Sequence, residues 1–520
     1  MSERSRVVLI VGAVAVAAAG GMIYLFKVHM PKKALAAAQK EITDWEQRVA
    51  EARTCLLGET PASGDSAEAL SVRELMPDPW NRSTCTKLIG ALSRGEGTDT
   101  GVTAVEEAWE AAERAAGKVA TSFATHVDPF GEPRAERHKE SPLPAALQEL
   151  DQAHAKLRAA ASMPPPPSTS IPKLAAADTV AVRTENQNLR WYDMTQLPSA
   201  GGAIAWGATD DRSEVEVVLP AGGAPTVHKV MAGVVRALPD PSWGVSVNNE
   251  PPATPDAAPT LAGLTLGAVG DSGGFTTMTG HGVKAPAAIL AVSGKQTDGV
   301  VVFAAADKIG FGRATGGQPF AFPEKMLGSS VLATSAVDIS GRSAVAWVDK
   351  DGAMTGSLIA SGAEPVPLPL GAGDPSAASF KSCLTATHAW AGDDPQFVRF
   401  DTAAAQPHVL DGFELVACND KHALLKRHAS VEYAVCSDQC RMVKIPNLSY
   451  AAAVALVGDQ VVAIRAHRGV VGVWRESGAP TFYRFPGTTF VGRFGHSDGK
   501  VIDFVGTLDD KATILRLPAR

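Results

Sequence analysis

The sequence predicts a membrane-anchored multidomain chain: an N-terminal transmembrane helix, an α-helical bundle region, and a C-terminal all-β propeller of seven or eight blades. Three observations predict it. A charge-free apolar run fills Val7–Phe26; apolar residues recur at helical spacing between residues 34 and 162; and beyond a run of four prolines the helical period gives way to short alternating segments that repeat. The expected organisation is a cytoplasmic tail and anchor at 1–33, a helical region at 34–162, a proline-rich linker at 163–172 and a propeller at 173–520.

Composition fits a folded chain with a sizeable core. Of 520 residues, 45% are apolar and 20% charged, which excludes a disordered polymer. The net charge of −7 provides no basic field, so nucleic acid is not expected as a partner. The 49 glycines and 35 prolines concentrate beyond residue 160, as short strands joined by turns require.

The apolar run Val7–Phe26 is twenty residues, about the length that crosses a bilayer as a helix. A cleaved signal peptide is the competing reading, because Ala17-Ala18-Ala19 offers a small-residue cleavage site. The run continues through Met22, Ile23, Leu25 and Phe26, which favours an uncleaved anchor. Arg4 and Arg6 precede it, whereas Lys27, Lys32, Lys33 and Lys40 follow; a count of positive charge alone keeps the bulk of the chain in the cytoplasm. The cysteines point the other way. There are six, and three pairs suit bridging: Cys55 with Cys85 in two predicted helices, Cys383 with Cys418 in neighbouring repeats, and Cys436 with Cys440 across Ser437-Asp438-Gln439. Disulfides persist outside the cytoplasm. The expectation is a single-pass protein of the cell inner membrane with its C-terminal domains in the periplasm or another extracytoplasmic space. Metal is the rival use for the cysteines, with His428 as the nearest third ligand, but one C-x3-C without a second pair is weak for zinc, and no metal or cofactor is assigned.

Leu35, Ala38, Ile42, Trp45, Val49, Ala52 and Leu56 recur at steps of three and four, ending at Gly58. The stripe reads as one helix of a local bundle, or else as a short coiled-coil stalk. Further helices are expected over Ala67–Leu75, Ser83–Ser93, Thr103–His126 and Pro144–Ala161, with His154 a packed or boundary histidine. A Cys55–Cys85 bridge closes a loop of about thirty residues and adds on the order of 3 kcal/mol in the chain-entropy account. Pro164–Pro167 then favour an extended, semi-rigid spacer.

Past the linker, Phe413–Ile445 parses as four short strands: Phe413–Cys418, His422–Arg427, Val431–Cys436 and Cys440–Ile445. The next unit parses alike, as Ala452–Leu456, Val461–Ala466, Val470–Arg475 and Thr481–Phe485. Expected third strands centre near Leu358, Val398, Ala434, Gly472 and Ile514, at spacings of 36–42 residues. Four strands per repeat is the content of a propeller blade. The last unit is one strand short, and Thr179–Val182 is the nearest segment able to complete it. The Gly-His and Trp-Asp signals of WD40 repeats are missing, and Asp349-Lys350-Asp351-Gly352 reads as a hairpin turn, not a calcium loop.

Gly270-Asp271-Ser272-Gly273-Gly274 resembles the stretch around the nucleophilic serine of chymotrypsin-like proteases. The resemblance implies attack by Ser272, with the backbone N–H groups of Gly270 and Ser272 as an oxyanion hole. Thr385-Ala386-Thr387-His388 is similar to the family's histidine segment, and Ser242-Trp243-Gly244 to its substrate-binding strand. The order is reversed, however, and no circular permutation restores it. Phe275 also stands where the family has proline. The bland reading is a glycine-rich turn between two strands, and no catalytic residue is assigned.

The resulting expectation is a protein–protein interaction or scaffold module at the cell envelope, with a protein partner. The alternative is an exported propeller enzyme, a hydrolase or lyase, with its site at the central channel mouth. For the serine motif, Ser272→Ala is expected to change neither folding nor activity. A fluorophosphonate label on Ser272 that the variant loses contradicts that expectation.

Overall fold

A computed structural model describes residues 3–24, 30–57, 66–76, 82–92, 102–126, 142–165 and 174–181. Beyond these it describes 189–197, 202–209, 214–219, 226–230, 234–239, 243–250, 260–268, 275–279, 287–295, 297–305, 307–315, 318–338, 340–377, 380–400, 408–446, 448 and 451–519. The chain divides into two compact units, Met1–Ala175 and Ala176–Arg520. Ser272 with its flanking glycines, and most of the linker from Pro166 to Pro172, lie outside the described residues.

The first unit holds six helices among the described residues: α1 (Glu3–Tyr24), α2 (Met30–Leu57), α3 (Ser66–Leu75), α4 (Arg82–Gly90), α5 (Thr103–His126) and α6 (Leu143–Ala160). α1 takes up most of the charge-free run; its side chains are described from Ile10 to Tyr24, and all are exposed. Among the described residues no helix is both long and apolar enough to cross a membrane, so the transmembrane expectation rests on the sequence. On α2, Ala38, Ile42, Trp45, Val49, Ala52 and Leu56 are all buried in one core with Trp109, Val119 and Leu147. The stripe that a coiled-coil stalk needs is thus spent inside the bundle. Trp45 donates its indole N–H to the Leu92 carbonyl at 2.8 Å, which satisfies its polar edge at full burial. Cys55 and Cys85 join α2 to α4, with their Cα atoms 5.5 Å apart. The chain leaves α6 still attached: Met163 N–H bonds the Arg158 carbonyl, and the Arg158 guanidinium bonds the Pro164 carbonyl at 2.6 Å.

The second unit is built of strands. Among the described residues they form eight four-stranded antiparallel units, the first seven in chain order, with the two-residue strand Ala175–Ala176 added to the outer edge of the seventh. The first four begin at Leu189, Val234, Ala287 and Leu332, and the last four at Lys381, Phe413, Ala453 and Phe490. The two units parsed from sequence appear as Phe413–Lys444 and Ala453–Arg484, each with strand ends within a residue or so of expectation. The Asp349–Gly352 hairpin turn has Gly352 at φ +81°, where a side chain is strained. The Asp349 carboxylate accepts from the Asp351 and Ala353 N–H groups, so that carboxylate shapes its own turn.

Stacking makes these units blades. One core cluster joins the blade at Leu332 to that at Lys381 through Ala346, Leu358, Leu384 and Val398. Another joins the seventh and eighth blades through Val471, Phe485, Phe504 and Leu515. A third joins the eighth blade to the first through Ile514, Val505, Ala205 and Leu219, which brings the ring round on itself. The first strands of the second and third blades run parallel; Val292 pairs with Ala237 and Gly294 with Pro239. The first strands of blades seven and eight approach so closely that a Cβ on Gly495 would meet the Val454 carbonyl oxygen at 2.5 Å.

The eighth blade has only three C-terminal strands, Phe490–Ser497, Val501–Leu508 and Lys511–Pro518. Its fourth is Asp178–Ala181, antiparallel to the last, with Thr179 opposite Leu515 and Val180 opposite Ile514. This is the closing segment expected from sequence, up to Ala181. Ala177 adds an N–H bond of 2.7 Å to the Arg484 carbonyl on the edge of blade seven. Accordingly, a fragment 174–520 should melt cooperatively, whereas 184–520 should be poorly soluble or melt without cooperativity, because its eighth blade keeps an open edge. Indistinguishable melting curves contradict closure by this strand.

Candidate functional site

In each antiparallel blade the first-to-second turn and the third-to-fourth loop lie at the same end of the sheet. Contacts from Arg342 to Ala386, Ala386 to Asp420 and Asn419 to Gly458 gather the turns of blades four to seven on one face. That face carries the densest polar network described.

Blade five contributes the turn Thr385–Thr387 between Lys381–Leu384 and His388–Gly392. Thr385 is buried, and its hydroxyl accepts the His388 N–H at 3.1 Å and the Thr387 N–H at 3.4 Å. The turn therefore closes on a side chain. His388 is only 2% exposed, its ring edge-on to Phe397 at 5.9 Å beside the stacked Trp390–Phe397 pair. Its Nδ1 lies 2.8 Å from the Thr387 hydroxyl and its Nε2 3.5 Å from Oδ1 of Asp438. This network assigns Nδ1 as acceptor and Nε2–H as donor. Arg399, opposite His388 in register, reaches the same Asp438 oxygen at 2.7 Å. Asp438 belongs to blade six, in the three-residue loop between Cys436 and Cys440, which are register partners with Cα atoms 4.0 Å apart. Cys383 and Cys418 join the first strands of these same two blades. All six cysteines are paired.

Blade four adds Asp338, buried to 1% exposure. Its carboxylate accepts from the Ser340 N–H and hydroxyl and from the Arg342 backbone and guanidinium. Arg342 also donates to the Ala386 carbonyl at 3.0 Å and lies over the Phe400 ring at 4.6 Å. Ala386 N–H donates to the Asp420 carbonyl at 2.8 Å, and Asn419 donates to the Gly458 carbonyl at 2.6 Å. The turns of blades four to seven are thereby linked in series. Burial pushes the Asp420 carboxyl above the usual carboxylate range; the charge of Asp338 adds to this, while Lys421 and His496 oppose it.

Thr387, His388 and Asp438 reproduce the hydroxyl–imidazole–carboxylate order of an activated nucleophile. Acyl transfer also needs N–H donors free for an oxyanion. Here the N–H groups of Ala386, Thr387 and His388 are spent on Asp420 and Thr385. The arrangement orients a histidine and ties two blades together. Among the described residues, no three His, Cys, Asp or Glu side chains are grouped to hold a metal.

The helical unit has its own charged cluster. Glu46 on α2 accepts from His154 and Arg158 on α6, both at 2.5 Å, with the His154 ring edge-on to Trp45 at 5.5 Å. His154, expected as a packed or boundary histidine, meets Glu46 at that boundary. Burial pushes the Glu46 carboxyl up, but hydrogen bonds and charge from His154 and Arg158 outweigh it and hold the carboxyl below its ordinary value.

No family model matches the chain, and no curated relative matches it. It is similar to solved structures at low identity. A catalytically inactive variant of virginiamycin B lyase from Staphylococcus aureus has 13% identity and a TM-score of 0.32, covering 66% of this chain and 99% of that one. The WD40 domain of SCAP from fission yeast has 9% identity and a TM-score of 0.37, covering 65% and 94%. The β-propeller domain of Swd1 from Myceliophteria thermophila has 10% identity and a TM-score of 0.32, covering 65% and 98%. At these values the likeness carries nothing about substrate or site.

The Glu46 cluster makes a signed pH prediction. A depressed folded-state pKa contributes stability that is complete above the ordinary value of 4.5 and is lost as pH falls through the folded value. Glu46→Gln should cost about 1–3 kcal/mol near neutral pH. The gap to the parent protein should shrink steadily below pH 4.5. Denaturant unfolding followed through tryptophan fluorescence measures both, and a gap independent of pH contradicts the assignment.

Proposed function

We propose that the chain is an exported propeller, held at the inner membrane by its N-terminal helix, that serves as a protein-binding or scaffold module on the extracytoplasmic side. The pairing of all six cysteines carries this reading, because such bridges persist in oxidising compartments. The charge-free run Val7–Phe26 in the sequence supports the anchor. From Ile10 to Tyr24 every side chain is exposed, Val16 to 74%, and no polar face covers the helix. A helix that is apolar all round finds its partner in hydrocarbon or in a protein core.

The polar face of the ring supports binding over catalysis. Asp338, Arg342, Thr385, Asn419 and the Ala386 amide are engaged in holding turns. A rigid, side-chain-locked rim is a good platform for a partner, since little order is lost on association. The Thr387–His388–Asp438 order is the single observation on the side of an enzyme, and the spent N–H groups beside it weigh against acyl transfer.

Two measurements test the proposal. In intact cells or sealed vesicles, the propeller should be degraded by protease added from the extracytoplasmic side only, with α1 retained in the membrane. A photo-crosslinking residue placed at exposed Asp438 should give one discrete protein adduct, and the same residue at Met442 on the outer strand should give none. Protection from external protease contradicts export. Equal adducts at both positions, or none at either, contradict a binding face.

A further inference from the structure

The two propeller disulfides share one hydrophobic cluster, with Cys383, Cys436, Trp390 and Phe397 in its core and Cys418 and Cys440 at its edge. Their topologies differ. Cys383–Cys418 connects two blades across 35 residues, whereas Cys436–Cys440 closes only one hairpin loop, with a sequence separation of 4. In the chain-entropy account a loop so short gains about half of what the longer loop gains, and what distinguishes the second bridge is its place. What that bridge does fix is Asp438, the middle residue of the loop. The Asp438 carboxylate lies against His388 Nε2, and it also takes Arg399. It is itself 63% exposed, so its position is set by the loop and not by burial. On the other side, Trp390 and Phe397 enclose the imidazole.

We propose that Cys436–Cys440 is a redox-operated latch over His388. Its operator is a dithiol reductant. Cys436 is fully buried while Cys440 is half-buried, so the thiolate of the dithiol attacks the Cys440 sulfur. The Cys436 thiolate leaves and takes a proton. The second thiol of the reductant then displaces the Cys440 sulfur from the mixed disulfide, giving two protein thiols and a cyclic oxidised dithiol. With the loop released, Asp438 leaves His388 and Arg399, and the imidazole, still in hydrogen-bond reach of Thr387, opens to solvent. Cys383–Cys418 keeps blades five and six joined, so the change is confined to the loop. The latch stands on this geometry and does not depend on membrane anchoring or on a protein partner.

The test uses the full-length chain in detergent, titrated with dithiothreitol. Alkylation mapping reads which bridge has opened, and diethyl pyrocarbonate followed by peptide mass spectrometry reads each histidine. His428, half exposed beside Asp394, is the internal reference. Once Cys436 and Cys440 alkylate, His388 should react roughly tenfold faster while His428 and buried His496 keep their rates. Asp438→Ala, with the bridge intact, should speed His388 without reductant. The proposal is overturned if His388 keeps its oxidised rate after both thiols are alkylated. It is equally overturned if Cys383–Cys418 opens first, if His496 accelerates in step, or if Asp438→Ala leaves His388 unchanged.

Discussion

A four-stranded sheet has two apolar faces and no way to cover both by itself. In this chain each face is covered by the next sheet, and the series has to return to its start, because any end leaves one face wet. The described core clusters follow that demand: each named apolar group, such as Leu358 with Val398 or Ile514 with Ala205, is shared between two blades. The cost of an open seam is a whole cluster, at roughly 1.5–3 kcal/mol for each large side chain uncovered. Small residues on the inner strands, such as Gly495 against Val454, let the backbones come near enough for the seam to be dry.

Polar contacts then set the register between blades. Ser343 and Ser293 meet at 2.7 Å in a buried pair, Ser335 reaches the Leu290 carbonyl at 2.6 Å, and Arg342, Ala386 and Asn419 pass contacts along the face of turns. Apolar packing alone tolerates sliding, and hydrogen bonds with one partner each do not. The same economy limits chemistry. A group that fixes its neighbour's backbone is not available to a substrate, and this is why the Thr387–His388–Asp438 order orients without being equipped for acyl transfer.

Much of this was legible in the sequence. The period-2 runs around Phe413–Lys444 stand between short polar turns, so strand number and spacing could be read, and so could the missing strand of the last blade. The α2 stripe and the cysteine pairs were legible for similar reasons: short-range spacing encodes local geometry. Blade number is read as seven or eight, because the length of the C-terminal region divided by a period of 36–42 residues does not fix one integer. The clusters were not legible. His388 and Asp438 lie on different blades, and Glu46 and His154 on helices separated by 108 positions. Nothing in either neighbourhood announces the other; only the ring and the bundle bring them together. Ser272, which stood out most as a motif, has its partners in an order that no closure of the chain repairs.

Thr179 is in register opposite Leu515, so a strand from the start of the second unit and the strand at its end share one sheet. During synthesis Asp178–Ala181 appears early and is the last to find its neighbour. Until Lys511–Pro518 has arrived, seven blades' worth of chain stands as an open arc with a bare edge at each tip. Such long-range pairing raises contact order and slows folding. It also prolongs the interval in which those edges are available to other chains. A stalled or truncated chain lacking only its final strand is therefore left with its earlier seams formed, the seam between blades seven and eight short of Leu515 and Leu517, and neither tip covered, a species fitted for capture by a holdase or for end-to-end association with its own kind.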